Sequence, residues 1–174
     1  MTARVLVAYA SKYGATTEIA KKVGEVLQEA GLRVTILPAE QVDDLTVFDA
    51  LVLGSAVYGA SWRNEAVTFL KDYQTSLAKI PVWLFSSGPI GEGDPVKLMK
   101  GWHFPTALEP LADRICPRDI AFFHGALNIE KLNLAEKIMI KAIQAPVGDF
   151  RDWDAITDWA ASIAFSLHSE AVKS

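Results

Sequence analysis

Residues 5–17 decide the fold, because an apolar run stops at a turn rich in glycine and hydroxyl groups, and a helical pattern begins at once. The stretch reads Val5-Leu6-Val7-Ala8-Tyr9-Ala10-Ser11-Lys12-Tyr13-Gly14-Ala15-Thr16-Thr17. A buried strand that leads straight into a helix aims the free backbone N–H groups of the first helical turn, and the positive end of the helix dipole, at one point. The hydroxyl groups of Ser11, Thr16 and Thr17 add donors. The turn therefore predicts a phosphate site.

The turn differs from the two common nucleotide-binding motifs. It has neither the Gly-Lys-Ser/Thr ending of a nucleoside-triphosphate loop nor the three glycines of a dinucleotide fingerprint, which favours a phosphate monoester as the ligand. The structural alternative is an ordinary helix N-cap, in which Thr16 or Thr17 satisfies the first turn.

Composition bounds the other classes of protein. The chain has 174 residues, 51% of them hydrophobic, which is enough for one core and short for two, so we expect a single domain over residues 1–174. A net charge of −4 with scattered basic residues argues against a nucleic-acid partner. The single Cys116, expected to be buried, excludes an internal disulfide, and no Cys or His spacing suggests a metal. Without a signal-peptide pattern or an apolar run approaching roughly 20 residues, we expect a cytoplasmic protein with no transmembrane segment.

Five short apolar runs alternate with helical patterns along the chain. The runs cover residues 5–9, 34–37, 50–53, 81–85 and 120–123, and the helical patterns cover about 16–30, 66–73, 96–115 and 153–167. This alternation predicts an α/β fold with a doubly wound parallel sheet of five strands and helices on both faces. Ligands of such sheets bind beyond the carboxyl ends of the strands. A further helix with a broad apolar face is predicted over Lys131 to Ala145, and it is additional to the helices that such a five-stranded sheet needs.

Two more loops are expected at the same edge of the sheet as the first turn. Ser55 to Trp62 offers small residues, backbone amides and the aromatic planes of Tyr58 and Trp62, and Ser86 to Gly93 is rich in accessible backbone. A flat heterocycle between these loops, with its phosphate at the first helix, is the arrangement that a mononucleotide flavin would take. Alternatively, the glycines only form tight turns and the aromatic rings cover the core.

These residues resemble a known family. The motif Ser11-x-x-Gly14-x-Thr16, the loop from Gly54 to Gly59 and the loop Ser86-Ser87-Gly88 resemble the flavodoxin-like FMN-binding domain over nearly the whole chain. Three narrower features are similar to the menaquinone-dependent protoporphyrinogen IX dehydrogenases of that family: Tyr58-Gly59, Gly125-Ala126-Leu127 followed by Lys137 to Lys141, and Thr157-Asp158-Trp159.

The resemblance implies a strand order of 2-1-3-4-5, an inserted helical segment at about 130–146 and FMN as cofactor. It implies that the FMN phosphate is held by Ser11, Lys12, Tyr13, Gly14, Ala15 and Thr16. It also implies that the isoalloxazine ring is flanked by Ser55, Ala56, Val57, Tyr58, Gly59, Ser87, Gly88, Pro89, Ile90 and Gly91. A phospho-receiver domain shares the strand order, but it needs acidic residues where this chain has Ser11 and Ser55.

Two functions stay open at this point. One is an oxidoreductase that passes two electrons to a quinone-type acceptor, with the tetrapyrrole protoporphyrinogen IX as a candidate substrate in haem biosynthesis. The other is a flavodoxin-like electron carrier with a redox protein as partner. Carboxylates around a flavin suit a low-potential one-electron carrier, whereas Lys12, Arg63, Glu92 and Asp94 nearly cancel, which favours the enzyme.

The extra helix has two alternative roles. It docks on the domain or on a second copy of it, giving a homodimer, or it forms an apolar wall for a quinone or tetrapyrrole. Glu130 and Glu136 offset the nearby lysines, so any contact with a membrane surface is expected to be transient. His124, which ends the fifth strand, is either a surface or core histidine or a group that donates or accepts a proton beside the flavin.

Overall fold

A computed structural model describes residues 1–173, in which a parallel sheet carries helices on both faces. The strands are β1 (Arg4–Ala10), β2 (Arg33–Pro38), β3 (Ala50–Tyr58), β4 (Ser61–Trp62), β5 (Val82–Ser87), β6 (Asp119–Phe123), β7 (Ala126–Leu127) and β8 (Gly148–Asp149). The α-helices are α1 (Ala15–Glu29), α2 (Asn64–Leu77), α3 (Pro95–Leu98), α4 (Glu109–Ile115), α5 (Leu134–Ala142) and α6 (Trp153–Ala171). Short 3₁₀ turns occupy Ala39–Gln41, Thr106–Leu108 and Ile129–Lys131.

The main sheet has the predicted topology. Its long strands run in the order β2-β1-β3-β5-β6 and all their pairings are parallel. The two-residue β4 pairs antiparallel with β3 alone. With β4 set aside, this order is the predicted 2-1-3-4-5, so the carboxyl ends of β1, β3 and β5 meet at one edge of the sheet.

The strands are apolar on both sides because each face of the sheet is covered by helices. On β1, Val5 and Val7 pack in a cluster with α1 and α6, whereas Leu6 and Ala8 pack in a second cluster with α2 and α4. This alternation follows from the two-residue repeat of a strand, whose successive side chains point to opposite faces. The central strands are thereby fixed in position, and the loops that leave them are held at defined places.

Gly54 in β3 makes room for an aromatic cluster. A Cβ placed on Gly54 would lie 1.9 Å from Cζ of Phe85, its neighbour in β5. Phe85 is fully buried and its ring packs edge-on against Trp159 of α6, with a centroid distance of 5.8 Å. Any side chain at position 54 would therefore push this ring out of a close-packed core.

We expect Gly54→Ala to lower the free energy of unfolding by about 2–3 kcal/mol, the cost of forcing an extra methyl group into a packed core. Urea denaturation measures the loss. Adding Phe85→Leu to Gly54→Ala should restore part of the stability, because the smaller side chain vacates the space. Additive losses in the double variant would contradict the steric explanation.

Two predicted helices have other bounds than expected, and the prediction for Cys116 is wrong. The single helix predicted over 96–115 is two short helices, α3 and α4, because Gly101 has a φ of +92° and the chain between them is irregular. The helix predicted over 131–145 is only α5, preceded by a 3₁₀ turn. Cys116 is exposed, since it ends α4 in a left-handed conformation with a φ of 53°.

The segment between β7 and β8, residues 128–147, is called the insertion below. Its ends are brought together by two antiparallel pairings, Ala126 with Asp149 and Leu127 with Gly148. Helix α5 begins with a capping box, in which Asn133 accepts from the backbone of Glu136 and Glu136 accepts from the backbone of Asn133. No residue of α5 is buried. The helix is thus stabilised by its cap rather than by a hydrophobic interface.

Candidate functional site

The 11–17 turn joins β1 to α1 and leaves the start of that helix uncapped. The N-cap residue is Gly14, whose φ of 94° suits glycine, and no side chain caps the helix. The N–H of Gly14 donates to Oγ of Ser11 at 3.1 Å. The alternative of an ordinary Thr16 or Thr17 cap therefore does not describe this turn. The first-turn N–H groups remain directed outward at the positive end of the helix dipole.

Thr16 ties the 11–17 turn to the end of β5. Its Oγ1 lies 2.8 Å from Oγ of Ser87, and both residues are buried. This hydroxyl is one of the donors that the sequence suggested for a phosphate, and here it is shared with a neighbouring strand. The bond fixes the first turn of α1 against the carboxyl end of β5.

The loop after β3 forms a tight hairpin with β4. Its two tip residues, Gly59 and Ala60, have φ values of 55° and 59°, as a turn between two paired strands requires. Ser55 lies beneath the loop, fully buried, and accepts from the backbone N–H of Arg63 at 3.0 Å. Tyr58 is 46% exposed at the edge of the loop.

Trp62 does not offer the aromatic plane that the sequence suggested. It is buried, packs edge-on against Phe104 at 5.3 Å and donates its indole N–H to Oγ of Ser86 at 2.8 Å. The ring therefore belongs to the core beneath the site. Of the two aromatic residues in this loop, Tyr58 is the accessible one.

The loop after β5 is held from below by His124. This histidine is buried, and its Nδ1 lies 3.1 Å from the carbonyl oxygen of Pro89 while its Nε2 lies 2.5 Å from that of Gly93. The contacts bracket the loop at two points. The imidazole ring thus contacts the backbone of the β5 loop, as a core histidine would.

A cleft opens where the three loops meet. Its volume is about 80 Å³, and it is lined by Ser11, Tyr13, Ala15, Thr16, Ala56, Val57, Tyr58, Ser87, Gly88, Ile90 and Gly125 to Leu127. The other residues predicted for the site lie around it. They are Lys12 and Gly14 in the first turn, Ser55 and Gly59 in the β3 loop, and Pro89 and Gly91 in the β5 loop.

A second, wider cleft of about 440 Å³ adjoins the first and shares Tyr13, Ala15, Ala126 and Leu127 with it. A larger one, of about 650 Å³, lies at the opposite edge of the sheet near Arg4 and Asp49. These two residues are paired with each other at 3.3 Å. The donors for a phosphate lie at the 11–17 turn. The edge of the sheet that carries this turn is therefore the candidate site, although the largest of the three clefts lies at the opposite edge.

The insertion reaches the 11–17 turn, which sequence reasoning did not anticipate. Oε1 of Glu136 accepts from Nζ of Lys12 at 2.5 Å and also from the hydroxyl of Tyr13. Nζ of Lys131 donates to the carbonyl oxygen of Tyr13 at 3.0 Å. The capping pattern of α5 is readable from the sequence, but nothing in it indicates that the cap would contact a turn more than a hundred residues away.

These contacts set the charges beside the turn. Hydrogen bonds from Lys12 and Tyr13 lower the pKa of Glu136 to about 2, and the bond to Glu136 raises the pKa of Lys12 above its usual value. Burial raises the pKa of the nearby Tyr58 phenol. At neutral pH, Lys12 and Glu136 are therefore a charged pair and Tyr58 is neutral.

Comparison with known proteins agrees with this fold. The profile of the flavodoxin domain matches residues 6–154. A solved flavodoxin from the domain Archaea is similar with a TM-score of 0.62 and 12% identity, covering 95% of this chain and 99% of that one. The solved structure of a mutant flavodoxin from Pseudomonas aeruginosa gives a TM-score of 0.59 and 15% identity, with the same coverage.

The chain thus belongs to the flavodoxin domain family, a family of flavin-binding redox proteins. At the level of individual relatives, it is 20% identical, over an alignment of 181 residues, to the protein named protoporphyrinogen IX dehydrogenase [quinone] of Escherichia coli strain K12. The match covers 98% of this chain and 99% of the relative. Within residues 1–173, no helix has the length and apolar character needed to cross a membrane.

Proposed function

We propose that the protein binds FMN, with the phosphate at the 11–17 turn and the isoalloxazine ring between the β3 and β5 loops. The observation that carries this proposal is the uncapped start of α1, which meets both loops in one cleft. Backbone N–H groups at a helix start bind phosphate without needing a charged side chain. The loops supply backbone amides and Tyr58 for a flat ring.

The residues present fit the phosphate better than the cleft fits the ring. Gly14 lets the chain approach a phosphate closely, since a Cβ there would have only Nζ of Lys131 nearby, at 3.6 Å. Ligand pockets usually span roughly 300–1,000 Å³, which is far more than the cleft offers. The ring therefore needs more room than this cleft alone offers, and the partly exposed Tyr58 and the exposed Gly59 stand at its rim.

We expect purified protein to quench FMN fluorescence on titration, with one-to-one stoichiometry and a dissociation constant in the micromolar range or below. Riboflavin should bind more weakly, because it has no phosphate for the turn, and FAD serves as a competitor that tests the wider cleft. Fluorescence and calorimetric titrations measure all three. Failure of every flavin to bind at micromolar concentration would remove the basis of the proposal.

The proposed reaction is a two-electron transfer to a quinone-type acceptor. When bound, FMN supplies the redox chemistry, and the protein sets its orientation and electrostatic surroundings. Negative charges near a redox ring oppose the addition of electrons. Here Lys12 is paired with Glu136 and Arg63 with Glu65, and the ammonium group of Lys131 also lies beside the 11–17 turn, so these side chains leave no excess of negative charge at the site. This balance supports a site in which full reduction is accessible.

The insertion supports an apolar substrate. Leu134, Ile138 and Met139 of α5 and Ile143, which follows the helix, are 62–75% exposed, and the first turn of α5 lies beside the 11–17 turn. Exposed apolar patches of this kind mark binding surfaces. We propose that they form a wall for a quinone, and that a tetrapyrrole such as protoporphyrinogen IX is a candidate electron donor, in line with the name of the Escherichia coli relative.

A carrier role is the second candidate, and one observation favours it. The rim of the cleft, formed by Tyr58, Gly59 and Ala60, is exposed and open to a macromolecular partner. A cofactor edge at such a rim would suit electron transfer to a redox protein. The carrier would then need no substrate of its own, and the insertion would serve a partner or a second copy of the chain.

Potentiometry separates the two candidates. For the enzyme we expect a single two-electron potential of the bound flavin together with rapid reduction of a quinone. Two well-separated one-electron potentials, with slow quinone reduction, would instead identify a carrier. The titration is run on the flavin-loaded protein at neutral pH, where the Lys12 and Glu136 pair is charged.

A further inference from the structure

We propose that Glu136 of the insertion is an internal competitor for the phosphate group at the 11–17 turn, so that binding of a phosphate-bearing flavin releases the start of α5 from the turn. The inference rests on the proposed binding of FMN at this turn. Glu136 would then respond to the phosphate of the bound flavin, although it lies 120 positions along the chain from Thr16 and outside the loops of the flavin site.

The side-chain donors of the turn already serve an anion. The side chains of Lys12 and Tyr13 both donate to Oε1 of Glu136, and Oε2 of the same carboxylate accepts from the backbone of Asn133 at 2.9 Å. A phosphate oxygen is an acceptor of the same kind with a larger charge. Lys12 and Tyr13 can therefore donate either to the carboxylate or to a phosphate at the helix start. The two acceptors compete, because the same donors cannot bond fully to both at once.

The charge of Glu136 opposes a phosphate even without direct contact. The carboxylate is ionised at neutral pH, as its pKa of about 2 indicates, and it lies beside the turn that would receive the dianion. Like charges a few ångströms apart near a protein surface repel each other appreciably. Lys131 has the opposite effect, because its ammonium group donates to the carbonyl oxygen of Tyr13 at 3.0 Å and stays next to Gly14.

Few contacts hold α5 of the insertion on the body of the protein, so its position can respond to a phosphate at the 11–17 turn. No residue of α5 is buried, and Leu132, which precedes it, is the buried apolar anchor of the segment. The contacts of Glu136 therefore account for much of what positions the first turn of α5. When phosphate takes over Lys12 and Tyr13, α5 can change its position about Leu132 while the capping box persists. The exposed apolar side chains of α5 would then lie differently in the loaded and unloaded protein.

The matched variants are Glu136→Gln and Glu130→Gln. Glutamine keeps the capping box but removes the charge, so the helix should survive. Within the described residues 1–173, no hydrogen bond or ion pair joins the carboxylate of Glu130 to the 11–17 turn, which makes Glu130→Gln a control with the same change of net charge. We expect Glu136→Gln to bind FMN about tenfold more tightly, with riboflavin changed less than about twofold, and Glu130→Gln to resemble the unmodified protein.

Hydrogen exchange supplies a readout that does not depend on turnover. In the unmodified protein, FMN should speed exchange of the amides of α5, inorganic phosphate alone should do so at higher concentration, and riboflavin should not. Glu136→Gln should exchange rapidly without ligand. Slower exchange of α5 with FMN, or an unchanged ratio of FMN to riboflavin affinity in Glu136→Gln, would overturn the competition. If the unmodified protein binds no flavin, the proposed function fails as well, and this outcome is distinct from the first two.

Discussion

Gly14→Val is expected to weaken FMN binding roughly 100-fold while changing riboflavin affinity less than about threefold. Gly14 holds a φ of 94°, which a β-branched residue adopts only with strain, so valine would reorganise the turn. Losing two hydrogen bonds from first-turn N–H groups to a charged phosphate costs about 3 kcal/mol, or roughly two orders of magnitude in affinity. Parallel titrations with FMN and riboflavin isolate the phosphate contribution.

Gly31→Val is the matched control for this experiment. Gly31 follows α1 at its other end, has a φ of +87° and would place its Cβ in open space. Its substitution should cost stability of a similar kind but leave the preference for FMN over riboflavin intact. If Gly14→Val lowers stability and leaves that preference unchanged, the 11–17 turn is only the start of a helix.

Thr16 is a weaker choice for the same test, for a reason that the structure supplies. Its hydroxyl pairs with Ser87 inside the protein, so Thr16→Val would leave a buried hydroxyl without its partner. Such a loss costs about 1–3 kcal/mol of stability by itself. A fall in FMN affinity would then mix local unfolding with the loss of a phosphate donor.

Replacing Leu134, Ile138 and Met139 together by glutamine is expected to lower kcat/KM for a long-chain menaquinone analogue about 30-fold. These side chains are 62–75% exposed on α5, and burying even part of their surface against an apolar tail is worth about 2 kcal/mol in total. Flavin content and the free energy of unfolding should change little, since no residue of α5 is buried. Steady-state kinetics with the flavin-loaded protein gives the ratio.

Two controls make this experiment specific. Phe165→Gln alters α6 at a side chain as exposed as Leu134, 75% in each case, and should leave quinone reduction unchanged. A small water-soluble acceptor should be reduced equally fast by every variant. Full activity of the triple variant toward the long-chain quinone would assign α5 a structural role and remove the strongest support for an apolar substrate.

Point substitutions serve better here than removal of the whole insertion. Within the insertion, Lys131 and Glu136 both contact the 11–17 turn. Deletion would therefore change the phosphate end of the site and the apolar wall at once. The three exposed residues of α5 can be changed while both contacts persist.

The sheet was predictable because its signals are local. Apolar runs that end in small polar residues mark β1, β3 and β5, and the 3.6-residue period marks α1 and α6. The segment between β5 and β6 was not predictable in the same way. The apolar residues of 96–115 keep the helical period, although Gly101 and Pro105 interrupt the helix. Local backbone restrictions override periodicity at such positions.

In the candidate site, too, some features were predictable from the sequence and others were not. The positions of the three loops follow from the strand order, and the sequence therefore placed them at one edge. The burial of Trp62 depends on its packing against Phe104, and the contact of Glu136 with Lys12 joins residues 124 positions apart. Such pairings are set by how separate elements pack together, which no spacing or composition within a single segment encodes.

The short ladder of β7 and β8 gives the insertion the properties of an exchangeable cassette. Because Leu127 and Gly148 are paired, the chain leaves and re-enters the body of the protein at adjacent points. A two-residue reverse turn could bridge them without disturbing the main sheet, as in any hairpin. Segments of other length and polarity could be grafted at the same junction, so the surface beside the 11–17 turn can be changed while the strands of the main sheet stay untouched.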